Sequence, residues 1–238
     1  MSQKKQDYVG YWASSWMFAN AIGALFITPI LFYLINLFFA NSVKFILPKT
    51  VFTPVLCITI GISLGLFQWL VIRQWFQSKL WILATTASWI FGLFISGIVV
   101  SLIHTKILPL IPVLQLPPPL SFLFIATLFP LYVVIESSIL GAVIGVSQWL
   151  ILRKNIPKAK VWIGANIVAS IFSNSMVARS FYPTLGNDVI ARSIYLYPET
   201  INPLNIANSE LLLMMIFHYG IITGIVLEKL FSNAQKSR

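Results

Sequence analysis

Long apolar runs, broken by short polar or proline-rich stretches, organise this chain. Six of them approach or exceed the roughly 20 residues that a helix needs to cross a hydrocarbon layer about 30 Å thick. They cover approximately residues 12–40, 51–72, 81–103, 121–152, 161–178 and 211–228. The strict alternation of an outer-membrane barrel is missing. The first run is too long for a signal-peptide core and no cleavage site follows it, so it reads as a retained helix. The pattern predicts an all-α integral membrane protein: one transmembrane domain over residues 1–238, with six transmembrane helices.

Two phrases in this pattern are nearly identical. Residues 65–73 read GLFQWLVIR, and residues 145–153 read GVSQWLILR. Extended backwards, Gly61 and Gly65 precede Gln68, Trp69 and Arg73, while Gly141 and Gly145 precede Gln148, Trp149 and Arg153. A weaker third copy has Gly220 and Gly224 before Leu227, Glu228 and Lys229. The odd-numbered runs also correspond. Trp12 leads to Gly23, Trp81 to Gly92 and Trp162 to Ser173, eleven residues on in each case. These spacings predict three tandem helix hairpins, at approximately 12–73, 81–153 and 161–230. Two spans per unit make this a parallel repeat, with any pseudo-symmetry axis along the membrane normal. Glycines four apart lie on one helix face and admit a neighbouring backbone. The Trp and Arg that follow suit the headgroup level. Gln68, Trp69, Arg73, Gln148, Trp149 and Arg153 are therefore expected as interfacial anchors that follow a packing seam, with Gln68 and Gln148 hydrogen-bonding a neighbouring helix end or water, or alternatively binding something at that boundary.

Composition strengthens the membrane reading. Of 238 residues, 58% are hydrophobic and 9% charged, against about 25% charged in a soluble domain. The net charge of +10 becomes a topology signal once distributed. With both termini inside, eleven of the 16 Lys and Arg fall on the inner side and five outside, the asymmetry of the positive-inside rule. Attraction to anionic headgroups is a second use of the same charges. The inner connections are short. The outer ones, approximately 41–50, 105–120 and 182–208, are longer. Residues 107–120 hold five of the 13 prolines and cannot form a regular helix throughout. Cys57 is alone, so no intramolecular disulfide forms.

Polar groups within spans are candidate functional sites. Glu136 lies seventeen residues before Arg153, and Arg179 seventeen after Trp162. Both come to about 25 Å from the inner boundary at 1.5 Å per residue, close enough to pair. Asn166, Ser170 and Asn174 are spaced four apart and form one stripe on the fifth span. His218 is at similar depth on the sixth. This set suits an interhelical hydrogen-bond network, a small-solute or proton path, or a cofactor role for His218 such as ligation of a porphyrin metal. His104 falls at the outer end of the third span, where an interfacial residue is expected.

No catalytic constellation appears. The six carboxylates show no acid–base or metal spacing, and HExxH, cysteine clusters, P-loop and dinucleotide fingerprints are missing; the GxSxG match at residues 61–65 lies inside an apolar helical run and makes no nucleophile elbow. The basic residues are too scattered for a nucleic-acid interface. At QWLVIR and QWLILR the chain resembles a loose group of uncharacterised multi-span membrane proteins of cyanobacteria, which repeat GxxxGxxQWLxLR. The resemblance is clearest over 61–92 and 141–173. It implies a bacterial plasma or thylakoid membrane and no particular substrate. The expected function is non-enzymatic: an accessory or scaffold subunit or assembly factor of a larger membrane complex, photosynthetic complexes included. Its expected partners are the lipid bilayer and other membrane proteins or further copies of itself; the sequence demonstrates no cofactor and leaves pigment or lipid open. The alternative is a small-solute or ion transporter or channel that uses the fifth-span stripe with His218.

Overall fold

Apolar runs that leave the backbone no polar partner but itself fold as helices, because each N–H and C=O is then satisfied within its own segment. The computed structural model describes residues 9–23, 30, 49–73, 78–107, 118–181 and 209–236. These residues are all-helical apart from short turns. The elements are α1 (Val9–Ile22), α2 (Lys49–Ile72), α3 (Leu80–Leu102), α4 (Pro118–Leu152), α5 (Val161–Phe181) and α6 (Ser209–Lys236). A π-helical turn, Ile103–Ile107, extends α3. Helix α4 takes the last two prolines of the proline-rich segment, Pro118 and Pro119, into its first turn, where the missing N–H is not needed. The outer segment 182–208 lies outside the described residues.

Among the described residues two helical stretches are long and apolar enough to cross a membrane, Leu80–Val99 and Leu131–Leu152, and only 22% and 33% of the respective windows are buried inside the protein. Helix α3 turns a row of large apolar side chains outward, among them Leu83, Phe91 and Phe94, each more than half exposed.

The helices form a ring. α1 packs on α6, α6 on α5, α5 on α4, α4 on α3, α3 on α2, and α2 on α1. The glycine pairs set three of these seams. A Cβ at Gly61 would come within 2.6 Å of the Thr86 Cα on α3, and one at Gly65 within 3.0 Å of the Ile82 Cα. At Gly141 and Gly145 the neighbours are the Ile167 and Ile163 Cα atoms of α5, both 2.8 Å away. At Gly220 and Gly224 they are Met17 and Ala13 of α1. In each case the first glycine meets the residue five positions after Trp12, Trp81 or Trp162, and the second meets the residue one position after. The glycines do not pack within the hairpins 12–73, 81–153 and 161–230. They join each to the next, and the last to the first. Gly23 and Gly92 serve inside the hairpins, against Ser63 of α2 and Leu140 of α4.

The turn between α4 and α5, residues 153–160, lies at one end of the ring with the end of α2 and the start of α3, hereafter the loop end. An apolar cluster fills it: Trp16, Ile72, Trp81, Leu152, Ile156, Ala159, Trp162, Leu227, Leu230, Phe231 and Ala234.

Alanine at Gly141 must displace backbone atoms of α5 and is expected to lower stability by about 1–3 kcal/mol, the range for overpacking. Gly164 has nothing within 4 Å of its would-be Cβ, so Gly164→Ala is expected to gain up to about 1 kcal/mol of helix propensity. Thermal melting of the two purified variants checks the contrast.

Candidate functional site

A glutamine seven residues after the first glycine of its pair lies on the same helix face as both glycines. Gln68 and Gln148 therefore point at the neighbouring helix, and they are 2% and 0% exposed. Both amides are enclosed between helices. Each receives an indole N–H from the next helix: Trp81 Nε1 donates to Gln68 Oε1 at 3.1 Å, and Trp162 Nε1 to Gln148 Oε1 at 2.9 Å. An indole can only donate, so it fixes which way each amide faces.

The rest of the circuit follows from that orientation. The Gln148 Nε2 group donates to Gln68 Oε1 at 3.2 Å and to Thr85 Oγ1 at 3.0 Å. Gln68 Nε2 donates to Asn20 Oδ1 at 2.7 Å. Asn20 Nδ2 donates to the Trp16 carbonyl at 2.8 Å, and Trp16 Nε1 to Thr223 Oγ1 at 2.9 Å. One turn before Thr223, the Tyr219 hydroxyl bonds Asn166 Oδ1, and Asn166 Nδ2 donates to the Trp162 carbonyl at 2.9 Å. The circuit thus starts and returns at Trp162 and draws a residue from all six helices.

Three tryptophans meet at its centre. Trp16, Trp81 and Trp162 are fully buried. Trp16 meets Trp81 edge-on at a centroid distance of 6.0 Å and Trp162 edge-on at 5.7 Å, and Trp81 lies 6.4 Å from Trp162. Edge-to-face pairs add about 0.5–1.5 kcal/mol beyond burial. The spacing that relates Trp12 to Trp81 and Trp162 names a different first residue, and the side chain of Trp12 lies outside the described residues. Trp16 stands instead where the other seams carry Thr85 and Asn166. The reason is in the third glycine phrase. Leu227 replaces the glutamine and offers no acceptor, whereas Thr223, one turn back, does, and a tryptophan one turn further along α1 reaches it.

The remaining sequence candidates fall around this centre. Asn166 and Ser170 are buried and Asn174 is half-buried. Asn174 Nδ2 donates to Ser137 Oγ of α4 at 2.9 Å, and Ser170 packs against Gly141. His218 is half-buried, its ring 5.5 Å from that of Phe172 and 6.4 Å from that of Phe217. Glu136 is half-buried on α4. The side chains of Arg179 and His104 lie outside the described residues, and with Arg179 goes the expected pair with Glu136. Trp69 and Trp149 pack on the edge of the tryptophan cluster. Arg73 and Arg153 are exposed, and the Arg153 guanidinium lies 5.1 Å above the Trp149 ring. Among the described residues no three of His, Cys, Asp and Glu gather as a metal site.

Sequence reasoning missed Trp16, Asn20, Thr85, Tyr219 and Thr223. A signal for two of them was present: Thr85 follows Trp81 by four residues, as Asn166 follows Trp162 and Asn20 follows Trp16. Chemically, the arrangement is a set of mutually bonded donors and acceptors, suited to holding helices in fixed register; among the described residues the Trp69 indole N–H and the Ser173 hydroxyl are buried without a partner.

Comparison with protein-family models, characterised proteins and solved structures finds no match.

Thr223→Val keeps shape and removes the acceptor of the Trp16 indole together with the hydroxyl's own bond to the Tyr219 carbonyl. An orphaned buried donor costs about 1–3 kcal/mol, and a loss of that size in thermal unfolding is the expected result. Gln148→Leu and Trp162→Phe remove two ends of one bond, so the double variant is expected to lose less than the sum of the singles, by about 0.5 kcal/mol or more.

Proposed function

We propose that this chain is a non-enzymatic, six-span integral membrane protein of three tandem hairpins, with both termini on the inner side. It works by association, as an accessory or scaffold subunit of a larger membrane complex. The single observation that carries this reading is the closed circuit of buried polar groups: Gln68, Gln148, Asn20, Asn166, Thr85 and Thr223 spend their hydrogen bonds on one another and on the tryptophans beside them. A solute path needs polar groups turned toward water. Here they turn toward neighbouring helices, and three indoles fill the space between them. The polar residues support a rigid frame, and what the frame offers the outside is apolar helix surface such as that of α3.

Three further features support the membrane reading. The helices Leu80–Val99 and Leu131–Leu152 have the length and hydropathy of spans. Their outward faces are apolar without being covered by the rest of the chain. The glycine packing recurs with one spacing at three seams, which supports a tandem repeat. A bacterial plasma or thylakoid membrane follows from the motif resemblance alone.

A specific observation favours the transporter alternative. His218 and Asn174 lie nearer the far end of the ring than the tryptophan cluster, on adjacent helices α5 and α6.

Purification of tagged protein at native levels in mild detergent, followed by native sizing, tests the proposal. The expected result is an assembly well above 26.8 kDa with other membrane proteins in fixed ratio. A lone chain that conducts solute in liposomes, and loses flux but not melting temperature on His218→Ala or Asn174→Ala, would favour the alternative. Under the association reading both variants lower the melting temperature, by an amount on the order of 1 kcal/mol of stability for each interhelical interaction removed.

A further inference from the structure

The loop between α4 and α5 is short, basic and rigid. Residues 153–160 read RKNIPKAK, four cations in eight residues with no carboxylate. Arg153, Lys154, Lys158 and Lys160 are all exposed. The two apolar residues between them, Ile156 and Ala159, are 4% and 3% exposed and belong to the tryptophan cluster. The backbone is bonded at both ends: Ile156 N to the Leu152 carbonyl at 2.9 Å, Val161 N to the Lys158 carbonyl at 3.1 Å, and Trp162 N to the Ala159 carbonyl at 2.9 Å. This loop is a fixed platform, unlike a solvated charge run on a freely moving segment.

Its geometry includes one unfavourable choice. Lys158 has φ of 60°, a left-handed conformation in which glycine is at ease and a β-carbon is not. It follows Pro157 in a tight reversal, where glycine is the usual solution. A lysine held there against its backbone preference adds an exposed cation to a loop that already carries Arg153, Lys154 and Lys160. The cations also start where the apolar span Leu131–Leu152 stops, and Arg153 folds back over Trp149 at 5.1 Å. A guanidinium above an indole at the end of an apolar helix sits at the level of lipid phosphates.

We infer that the 153–160 loop is a binding platform for the phosphate of an anionic lipid headgroup. Arg153 and Lys160 adjoin the ends of α4 and α5, and Lys154 and Lys158 lie between them along the loop. Arg73 and Lys79, exposed at the same end beside α2 and α3, add to the field. Among the described residues the one carboxylate near this end is Glu228, half-buried on α6. The position of the cations at the boundary of the span favours a lipid over an acidic protein segment, which would need no such registration with the apolar edge. This inference rests on the membrane reading proposed above.

Carbonate extraction of native membranes comes first. A chain released to the supernatant overturns both readings. A chain that stays with the membrane is then purified in detergent and given equimolar phosphatidylglycerol and phosphatidylcholine, with retained lipid counted by native mass spectrometry. The expected result is preferential retention of phosphatidylglycerol, falling roughly fivefold for each lysine changed to glutamine at Lys154, Lys158 and Lys160, the size set by one cation near an anionic surface. Added inorganic phosphate at the same concentration leaves the lipid in place. Lys158→Gly separates charge from fold. It is expected to raise the melting temperature, because the left-handed position relaxes, and still to lower phosphatidylglycerol retention. Equal retention of the two lipids, displacement by inorganic phosphate, or full retention by a folded triple-glutamine variant or by Lys158→Gly would each overturn the inference while leaving membrane insertion intact.

Discussion

An indole N–H buried among helices has one requirement, an acceptor, and cannot serve as one itself. That one-way demand organises the loop end of the ring. Trp81 and Trp162 dictate the orientation of the Gln68 and Gln148 amides. Those amides then have NH2 groups to place, and they place them on α1 and α3. From there the chain of donors runs to α6 and back to α5. Because each amide orientation is forced by its neighbour, the circuit is satisfied as a whole. In an apolar surrounding the alternative to a partner is an orphan group costing several kcal/mol. Removing one member therefore disturbs more than one helix pair, and networks of this kind are worth more than their separate bonds.

The glycine seams make the circuit geometrically possible. Amide side chains are short. They bridge helices only where backbones nearly touch, and Gly61, Gly65, Gly141 and Gly145 bring Cα atoms of the next helix within 2.6 to 3.0 Å of where a Cβ would stand. The glutamine is one turn from the second glycine, just where two helices that touch begin to part. The third seam is looser, with its nearest Cα atoms at 3.1 and 3.4 Å, and it has a leucine in place of glutamine. There the hydrogen bond moves one turn inward, to Trp16 and Thr223. The backbone pattern is thus more regular than the side chains it carries.

Much of this could be read in the sequence. The glycine spacing, the tryptophan-led spans and the eleven-residue step to Gly23, Gly92 and Ser173 all mark positions at which helices meet. The direction of Gln68 and Gln148 was also implicit, since positions 61, 65 and 68 share a face, yet their neighbours Trp69 and Arg73 suggested a headgroup setting for the whole phrase. Adjacent residues on a helix face different ways, and the phrase combines a buried amide with a half-buried tryptophan and an exposed cation. Which helix each glycine pair would meet was not legible, because a ring offers every helix two neighbours and local spacing does not choose between them. The role of Trp16 was hidden for a related reason: it depends on a missing acceptor at Leu227, far along the chain on the last helix.

That separation has a consequence in time. The Trp16 indole finds its acceptor on Thr223, 207 residues later in the chain, and the backbone of α1 at Ala13 and Met17 fits glycines of the same late helix. At a synthesis rate of about 5–20 residues per second, the first helix waits on the order of 10 to 40 s between its own emergence and the arrival of the segment that completes it. During that interval the nascent protein is an open arc, held by α2 on one side and bare on the other. Closure of the ring therefore waits for α6, and any chain cut short before it leaves the Trp16 indole without its acceptor.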